Sequence, residues 1–288
     1  MVAAAAAKKH KSGLIENQEP LGGGNGAGES SLDHISWLPD EVLGTIISLL
    51  PTKDTPLNLG AGSDLTSQDW KRLVFISKIL RDHPGPARRF SLPGMRLRDR
   101  YAKIDGWLQS QALTGLEEIQ FSYEIEDPRL RYPLLPSALR FVPTLRVAEF
   151  GNCDFPIDIA PSLKFPCLKQ LTLRRVIMLE DVLHSLLRCC PVLESLLLEG
   201  NVGVGCLRIN SPTLRSIGIN VFCFRDRVKN PIRLQDFIIE DAPCLERLLP
   251  LNPDSGPATI RVVRAPKLEI LGLLSDGIKL HIGTTVFK

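Results

Sequence analysis

No stretch of this 288-residue chain stays apolar for anything near the roughly 20 residues that cross a bilayer, so no membrane span is predicted. Neither sign of charge dominates. The 35 Lys and Arg stand against 32 Asp and Glu, a balance that argues against both a polyanion-binding protein and an acidic tail. The start, MVAAAAAKKHKSG, puts its alanines before its charges with no apolar core behind them, so it does not read as a signal peptide. Paired cysteines are missing too. Cys153, Cys167, Cys189, Cys190, Cys206, Cys223 and Cys244 are odd in number and form no CxxC. His10, His34, His83, His184 and His281 are scattered, so no zinc-ligand spacing occurs. The thiols read as reduced and buried, which places the protein in the cytoplasm, the nucleus or both. Catalytic signatures also fail. GGGNGAG at 22–28 leads into no GK[ST] and is flanked by no strand. There is no HExxH and no Gly-x-Ser-x-Gly, and Cys189–Cys190 before Pro191 reads as packing at a helix end rather than as a nucleophile. The expectation is a protein with no catalytic residue, no metal and no cofactor.

What is present begins with a lead over 1–33, rich in alanine, lysine and glycine, whose composition cannot repay its ordering entropy and is expected to be disordered. A short helical domain is predicted over 34–80. In LPDEVLGTIISLLPTKD, Pro39 suits a first helical turn, and Asp40 and Glu41 complement the positive helix end. Val42, Leu43, Ile46, Ile47, Leu49 and Leu50 form an apolar stripe too wide for a lone three-turn helix, and Pro51 ends it. A second helix is expected between Leu65 and Leu80, with Trp70, Leu73, Val74, Ser77 and Leu80 near one face. Residues 81–112 read as a basic linker and a first helix. Residues 71–103 hold ten Lys or Arg against Asp82 and Asp99, which raises nucleic-acid binding as a minor reading. Three prolines and the alternation Arg96, Leu97, Arg98 favour a connecting segment with one solvated strand instead.

From residue 113 to 288 the chain repeats itself. VPTLRVAEFGNC, FPCLKQLTLRRV, CPVLESLLLEGN, SPTLRSIGINVF, APCLERLLPLN and APKLEILGLLSD share one frame, and TGLEEIQFSYEI is an earlier copy with Gly115 in place of the proline. Pro143, Pro166, Pro191, Pro212, Pro243 and Pro266 lie 23, 25, 21, 31 and 23 residues apart, the range of leucine-rich repeats. Cys153 and Asn201 occupy the expected position after the strand. Residues flanking one position, such as Leu171 and Leu173 around Thr172, should share the inward side of a short strand and need neighbouring coils to cover them. Helical returns are predicted at 178–190, with Val182, Leu183, Leu186 and Leu187 inward, and at 135–141. Later returns change character. CLRIN at 206–210, DFIIED at 236–241 and TIRVVR at 259–264 alternate and are too short for helices, so strands are expected on both faces of the solenoid. The fold class is therefore α+β repeat: a short helical domain, then a leucine-rich-repeat solenoid with α/β coils early and strand-rich coils late. A protein client would meet the side chains between the inward pairs: Gln120 and Ser122, Glu149 and Gly151, Thr172 and Arg174, Leu197 and Glu199, Gly218 and Asn220.

These blocks resemble the plant, grass-type F-box/leucine-rich-repeat family over roughly residues 34–288. LPDEVLGTIISLLPTKD resembles the start of the F-box, and HPGPARRFSL, FPCLKQLTL, CPVLESLLLEGN, SPTLRSIGI, EDAPCLERLLPL and APKLEILG recur in the family's order. The resemblance implies a substrate-recruiting subunit of an SCF-type ubiquitin ligase. Its F-box would dock on a Skp-type adaptor and, through it, a cullin; its repeats would hold a client marked for ubiquitin-dependent degradation. Leu38, Pro39, Val42, Leu43, Ile46, Leu49 and Leu50 match the adaptor-facing helix, and Trp70 the tryptophan late in the box. The stripe is then apolar because a second chain completes it. Two departures are expected to matter. TPLNLGAGSDLTSQDW replaces the family's second F-box helix, and the family's further C-terminal domain is not among these residues. They support the alternative of a stand-alone repeat scaffold with a non-functional F-box.

Overall fold

The computed structural model describes residues 67–83, 86–95, 100–124, 132–156, 163–221, 232–251, 256–272, 274 and 277–287. The lead over 1–33 and the adaptor-facing residues Leu38 to Leu50 lie outside the described residues, as does the alternation Arg96 to Arg98. Trp70 falls on the backbone of the first described helix, α1 (Ser67–Asp82).

α1 buries Leu73, Ile76, Ile79 and Leu80. Val74 was expected on that face but stands 47% exposed, because the apolar positions i, i+3, i+7 from Leu73 select a stripe through Ile76 and Leu80 instead. Ser77 is held by a partner the pattern did not name. It accepts a hydrogen bond from the Trp107 indole (3.0 Å) and donates to the carbonyl of Leu73 (2.8 Å).

The chain then builds two sheets. Strands β1 (Arg89–Met95), β2 (Glu118–Tyr123), β3 (Val147–Gly151), β4 (Gln170–Arg174), β5 (Ser195–Glu199), β7 (Ser216–Asn220), β9 (Arg247–Pro250) and β11 (Ile270–Leu271) form the first, all parallel and in that order. Strands β6 (Cys206–Asn210), β8 (Asp236–Asp241), β10 (Thr259–Val262) and β12 (Lys279–Ile282) form a parallel second sheet, which β13 (Thr285–Phe287) closes antiparallel to β12. Early returns are helical: α2 (Tyr101–Leu108), a 3-10 turn at Pro136–Phe141 and α3 (Glu180–Arg188). From β5 onward the chain alternates between the sheets, so every later return is a strand, as the alternating segments predicted. α3 buries Val182, Leu183 and Leu186, while Leu187 is only half-buried. β1 carries no repeat signature, yet it buries Phe90, Ser91 and Leu92 and pairs with β2.

The Pro-x-Leu frame has a mechanical reading. Proline fixes φ for a tight bend. The leucine two residues on donates its N–H to the carbonyl of the residue before the proline, as in Leu193 to Cys190, Leu245 to Ala242 and Leu268 to Ala265. The next two N–H groups then share one carbonyl of the preceding coil. Glu194 and Ser195 bond Lys169, Arg215 and Ser216 bond Glu194, and Glu246 and Arg247 bond Arg215. Each bend therefore sets the register of the strand that follows. Inward residues line up across strands, Phe121, Phe150, Leu173, Leu198 and Ile219 among them, and both sheets bury their inner faces in one continuous core.

The change from helical to strand return happens between α3 and β6. β6 is the edge of the second sheet, and its outward N–H groups would otherwise be unpaired. Glu180, the first residue of α3, accepts from Cys206 N–H (2.8 Å) and Gly205 N–H (3.2 Å). His184, one turn later, accepts from Arg208 N–H (3.0 Å) through Nε2.

Candidate functional site

Strands β2 to β5 each place one buried residue, one outward residue and a second buried residue in succession, so outward side chains form rows across the first sheet. In register, one row runs Ser91, Gln120, Glu149, Thr172, Leu197, Gly218, Leu249, with Ser91 and Gly218 themselves buried. The next runs Ser122, Gly151, Arg174, Glu199, Asn220. All ten expected client-facing residues lie in these two rows; Gly151 and Gly218 are buried, whereas Gln120, Ser122, Glu149, Thr172, Arg174, Leu197, Glu199 and Asn220 are not.

The first half of this face is wired together. Ser91 Oγ donates to Gln120 Oε1 (2.7 Å), and Gln120 Nε2 donates to Glu149 Oε2 (3.3 Å). Arg174 Nε reaches Glu149 Oε1 (3.0 Å), and Arg174 Nη1 pairs with Glu199 Oε2. Five residues from five successive strands, β1 to β5, thus share one polar line. Sequence reasoning placed four of them and missed Ser91, whose strand has no repeat frame. Ser122 Oγ anchors the neighbouring row by accepting Gly94 N–H (2.9 Å).

The second half is apolar. Leu197 is half-buried. Its Cδ1 lies 2.7 Å from where a side chain on Gly218 would begin, and Leu251 lies 3.6 Å from the same point. Glycine at 218 lets Leu197 fold over the next strand. With Leu249 and the exposed Leu251 it makes an apolar surface beside the polar line. The leucines of β9 and its exit were not expected here, since the APCLERLLPLN block was read only for its inward positions.

The arrangement offers positioned charge and a greasy patch. Burial, with Cys189 adding to it, pushes the Cys190 thiol up to about 12. Burial, then the Asp154 charge, pushes the Cys153 thiol up as well. Both stay protonated near neutrality. Among the described residues no group of His, Cys, Asp and Glu could hold a metal ion, and no helix is long and apolar enough to cross a membrane.

Comparison with known proteins adds a family. The model described as FBD-associated F-box protein At5g56370, LRR repeats, matches residues 104–288. FBD-associated F-box protein At5g60610 of Arabidopsis thaliana is 30% identical over 212 residues, covering 66% of this chain and 53% of that protein. F-box/LRR-repeat protein At3g60040 of the same plant is 27% identical over 237 residues, covering 67% and 51%. Putative FBD-associated F-box protein At5g56440 is 28% identical over 285 residues, covering 87% and 64%. The chain spans about half the length of most of the curated relatives it matches. No solved structure matches it.

Proposed function

The chain belongs to the plant F-box/leucine-rich-repeat family, and from that premise we propose that it recruits a client protein to an SCF-type, cullin-based ubiquitin ligase. It acts by holding two partners, not by catalysis. Leu38, Pro39, Val42, Leu43, Ile46, Leu49 and Leu50, with Trp70, form the contact with a Skp-type adaptor. The repeats stack as a solenoid whose first sheet presents the client-binding face. The protein works in the cytoplasm, the nucleus or both, without cofactor, nucleic acid or membrane. The carrying observation is the divided outer face. A line of hydrogen-bonded polar and charged side chains from Ser91 to Glu199 lies beside the apolar surface of Leu197, Leu249 and Leu251. Such a face offers a protein partner both register and buried area. The similarity that covers 87% of the chain is longer than the repeat match at 104–288, which supports a family relationship reaching toward the N-terminal stripe.

The test uses the full chain. Expressed with a tag in plant cells under ligase inhibition, it should co-purify a Skp-type adaptor and a cullin. Leu43→Asp with Leu50→Asp should lose both while keeping the client. Replacing Leu197 and Arg174 together should do the reverse. If wild-type protein, folded by circular dichroism, captures no adaptor, the second reading holds: a repeat scaffold that binds a client outside the ligase. Pro56, Gly60 and Gly62, which interrupt the second F-box helix in the sequence, favour that reading.

A further inference from the structure

The outer face of the second sheet follows a different electrostatic rule from the first. On the first sheet, cations are matched across coils: Arg89 with Glu118, Lys169 with Glu194, Arg215 with Glu246, Arg174 with Glu149 and Glu199. The second sheet begins the same way, with Arg208 on Glu240 and Arg264 on Asp241. Toward β12 the matching stops. Register places Arg261 of β10 directly opposite His281 of β12, and Thr259 opposite Lys279. Strand alternation puts Arg261, Lys279 and His281 on the outward side, since Ile260, Val262 and Leu280 between them are buried. Among the described residues none of these three has an ion pair. The acids Glu240 and Asp241 are already engaged, and Asp236 lies across Thr259 from Lys279 without reaching Arg261.

Here the Arg261 guanidinium lies opposite His281, with the Lys279 ammonium two residues along the same strand, and among the described residues no carboxylate forms an ion pair with any of them. Apolar side chains flank the cluster. Ile238 is the other register neighbour of Arg261, Val286 of β13 sits opposite His281, and Val263 follows β10. Val263 and Val286 are 60% and 50% exposed.

We propose that the outer face of the second sheet over β10, β12 and β13 is a docking surface for an acidic, extended segment of a partner protein. Arg261 and Lys279 take its carboxylates, and Val263 and Val286 take its apolar side chains. The surface is separate from the first-sheet face and does not depend on the role given to that face. A nucleic acid fits less well. Polyphosphate binding draws its strength from many phosphate contacts and from stacked bases. This face has few cations, retains Asp236, and carries no outward aromatic side chain among the described residues of β8, β10 and β12.

The experiment is fluorescence anisotropy of the full chain with a fluorescein-labelled, glutamate-rich peptide carrying interspersed leucines. Wild-type protein should bind saturably, and more weakly as salt rises. Arg261→Glu with Lys279→Glu should weaken binding about tenfold or more, as loss of two matched charge contacts implies. Arg146→Glu with Lys169→Glu, an equal charge change on the first sheet, should leave it unaltered. Should the charge reversal unfold the protein, Arg261→Gln with Lys279→Gln gives the same comparison without like-charge repulsion. The proposal is overturned by absence of saturable binding, by equal binding of the folded double variant, or by tighter binding of a single-stranded oligodeoxynucleotide of equal charge.

Discussion

Arg174 sits between two carboxylates from the coils on either side of it, and all three side chains are at least partly solvated. Exposed ion pairs contribute little, so Arg174→Ala should cost well under about 1 kcal/mol of stability. A thermal melt should barely move, while client binding through the proposed face should fall. A large drop in melting temperature would mark Arg174 as structural. The thiols make an opposite case. Cys153 and Cys190 are buried and Cys167 is exposed. An alkylating reagent near pH 8 should modify Cys167 readily and reach Cys153 and Cys190 only after unfolding, as peptide mapping of the modified protein would show. The sign of the pH effect follows. The folded Cys190 thiol titrates at about 12 rather than the ordinary 9.0, so the folded state holds the proton more tightly. Its contribution to stability is intact below about pH 9 and is lost progressively as pH rises toward 12. Which residues point inward was readable from alternation alone, because a period of two leaves no freedom once one face is buried. That Leu197 lies down over Gly218 was not readable. It depends on the absence of a side chain one coil away, and no local pattern encodes that.

At the scale of elements, the informative place is the joint where helical returns end. A helix and a strand present different surfaces to the next coil, and β6 is the strand left with no sheet neighbour on the α3 side. Glu180 and His184, four residues apart on one face of α3, supply acceptors where that neighbour's carbonyls would have been. Glu180→Ala should leave Gly205 and Cys206 N–H unmet and cost roughly 1–3 kcal/mol. Faster amide exchange at Cys206, with β4 and β5 unaffected, would locate the damage. Unchanged exchange there would show that water replaces the carboxylate without penalty. Gly203 in the same connection is constrained by its backbone. It has φ +99, and a Cβ would come 2.1 Å from the carbonyl oxygen of Met178. Gly203→Ala should destabilise by more than about 2 kcal/mol, measured by chemical denaturation. The sequence did reveal both kinds of return, since MLEDVLHSLLRCC repeats at the helical period and CLRIN at the strand period. It did not reveal the joint. Two acceptors on a helix and three donors at the start of β6 share no pattern until the fold brings them together. β1 was hidden for a related reason. Pro93 and Gly94 break its alternation, and register shifts between Leu92 and Met95.

At the scale of the whole molecule, nearly every stabilising contact is between a coil and its sequential neighbours, so stability should be distributed unevenly along the sheets. Strands β3 to β5 have fully covered inward residues, with Ala148, Leu171, Leu173 and Leu196 almost inaccessible, and strands on both sides. The last described strands in chain order are poorer. β11 is two residues long, its Ile270 is 49% exposed, and β13 leaves Val286 half exposed. Local opening costs least where few apolar contacts are lost. Hydrogen exchange of the native chain should therefore show its strongest protection over β3 to β5 and a stepwise decline through β9, β11, β12 and β13. Leu173→Ala, a cavity at the centre worth roughly 2–5 kcal/mol, should lower protection across all of β2 to β7. Val286→Ala should change exchange only in β12 and β13. Equal protection from β2 to β13, lost in one step on denaturation, would contradict a nearest-neighbour stack and require a contact that ties the last strands to the centre. The graded result carries a functional consequence. The wired half of the first sheet stands on the most stable coils, so a client docking there meets a preorganised surface. The cationic face over β10 and β12 stands on the least stable ones, and a partner bound to it should tighten exchange in β12 and β13 before it alters any other strand.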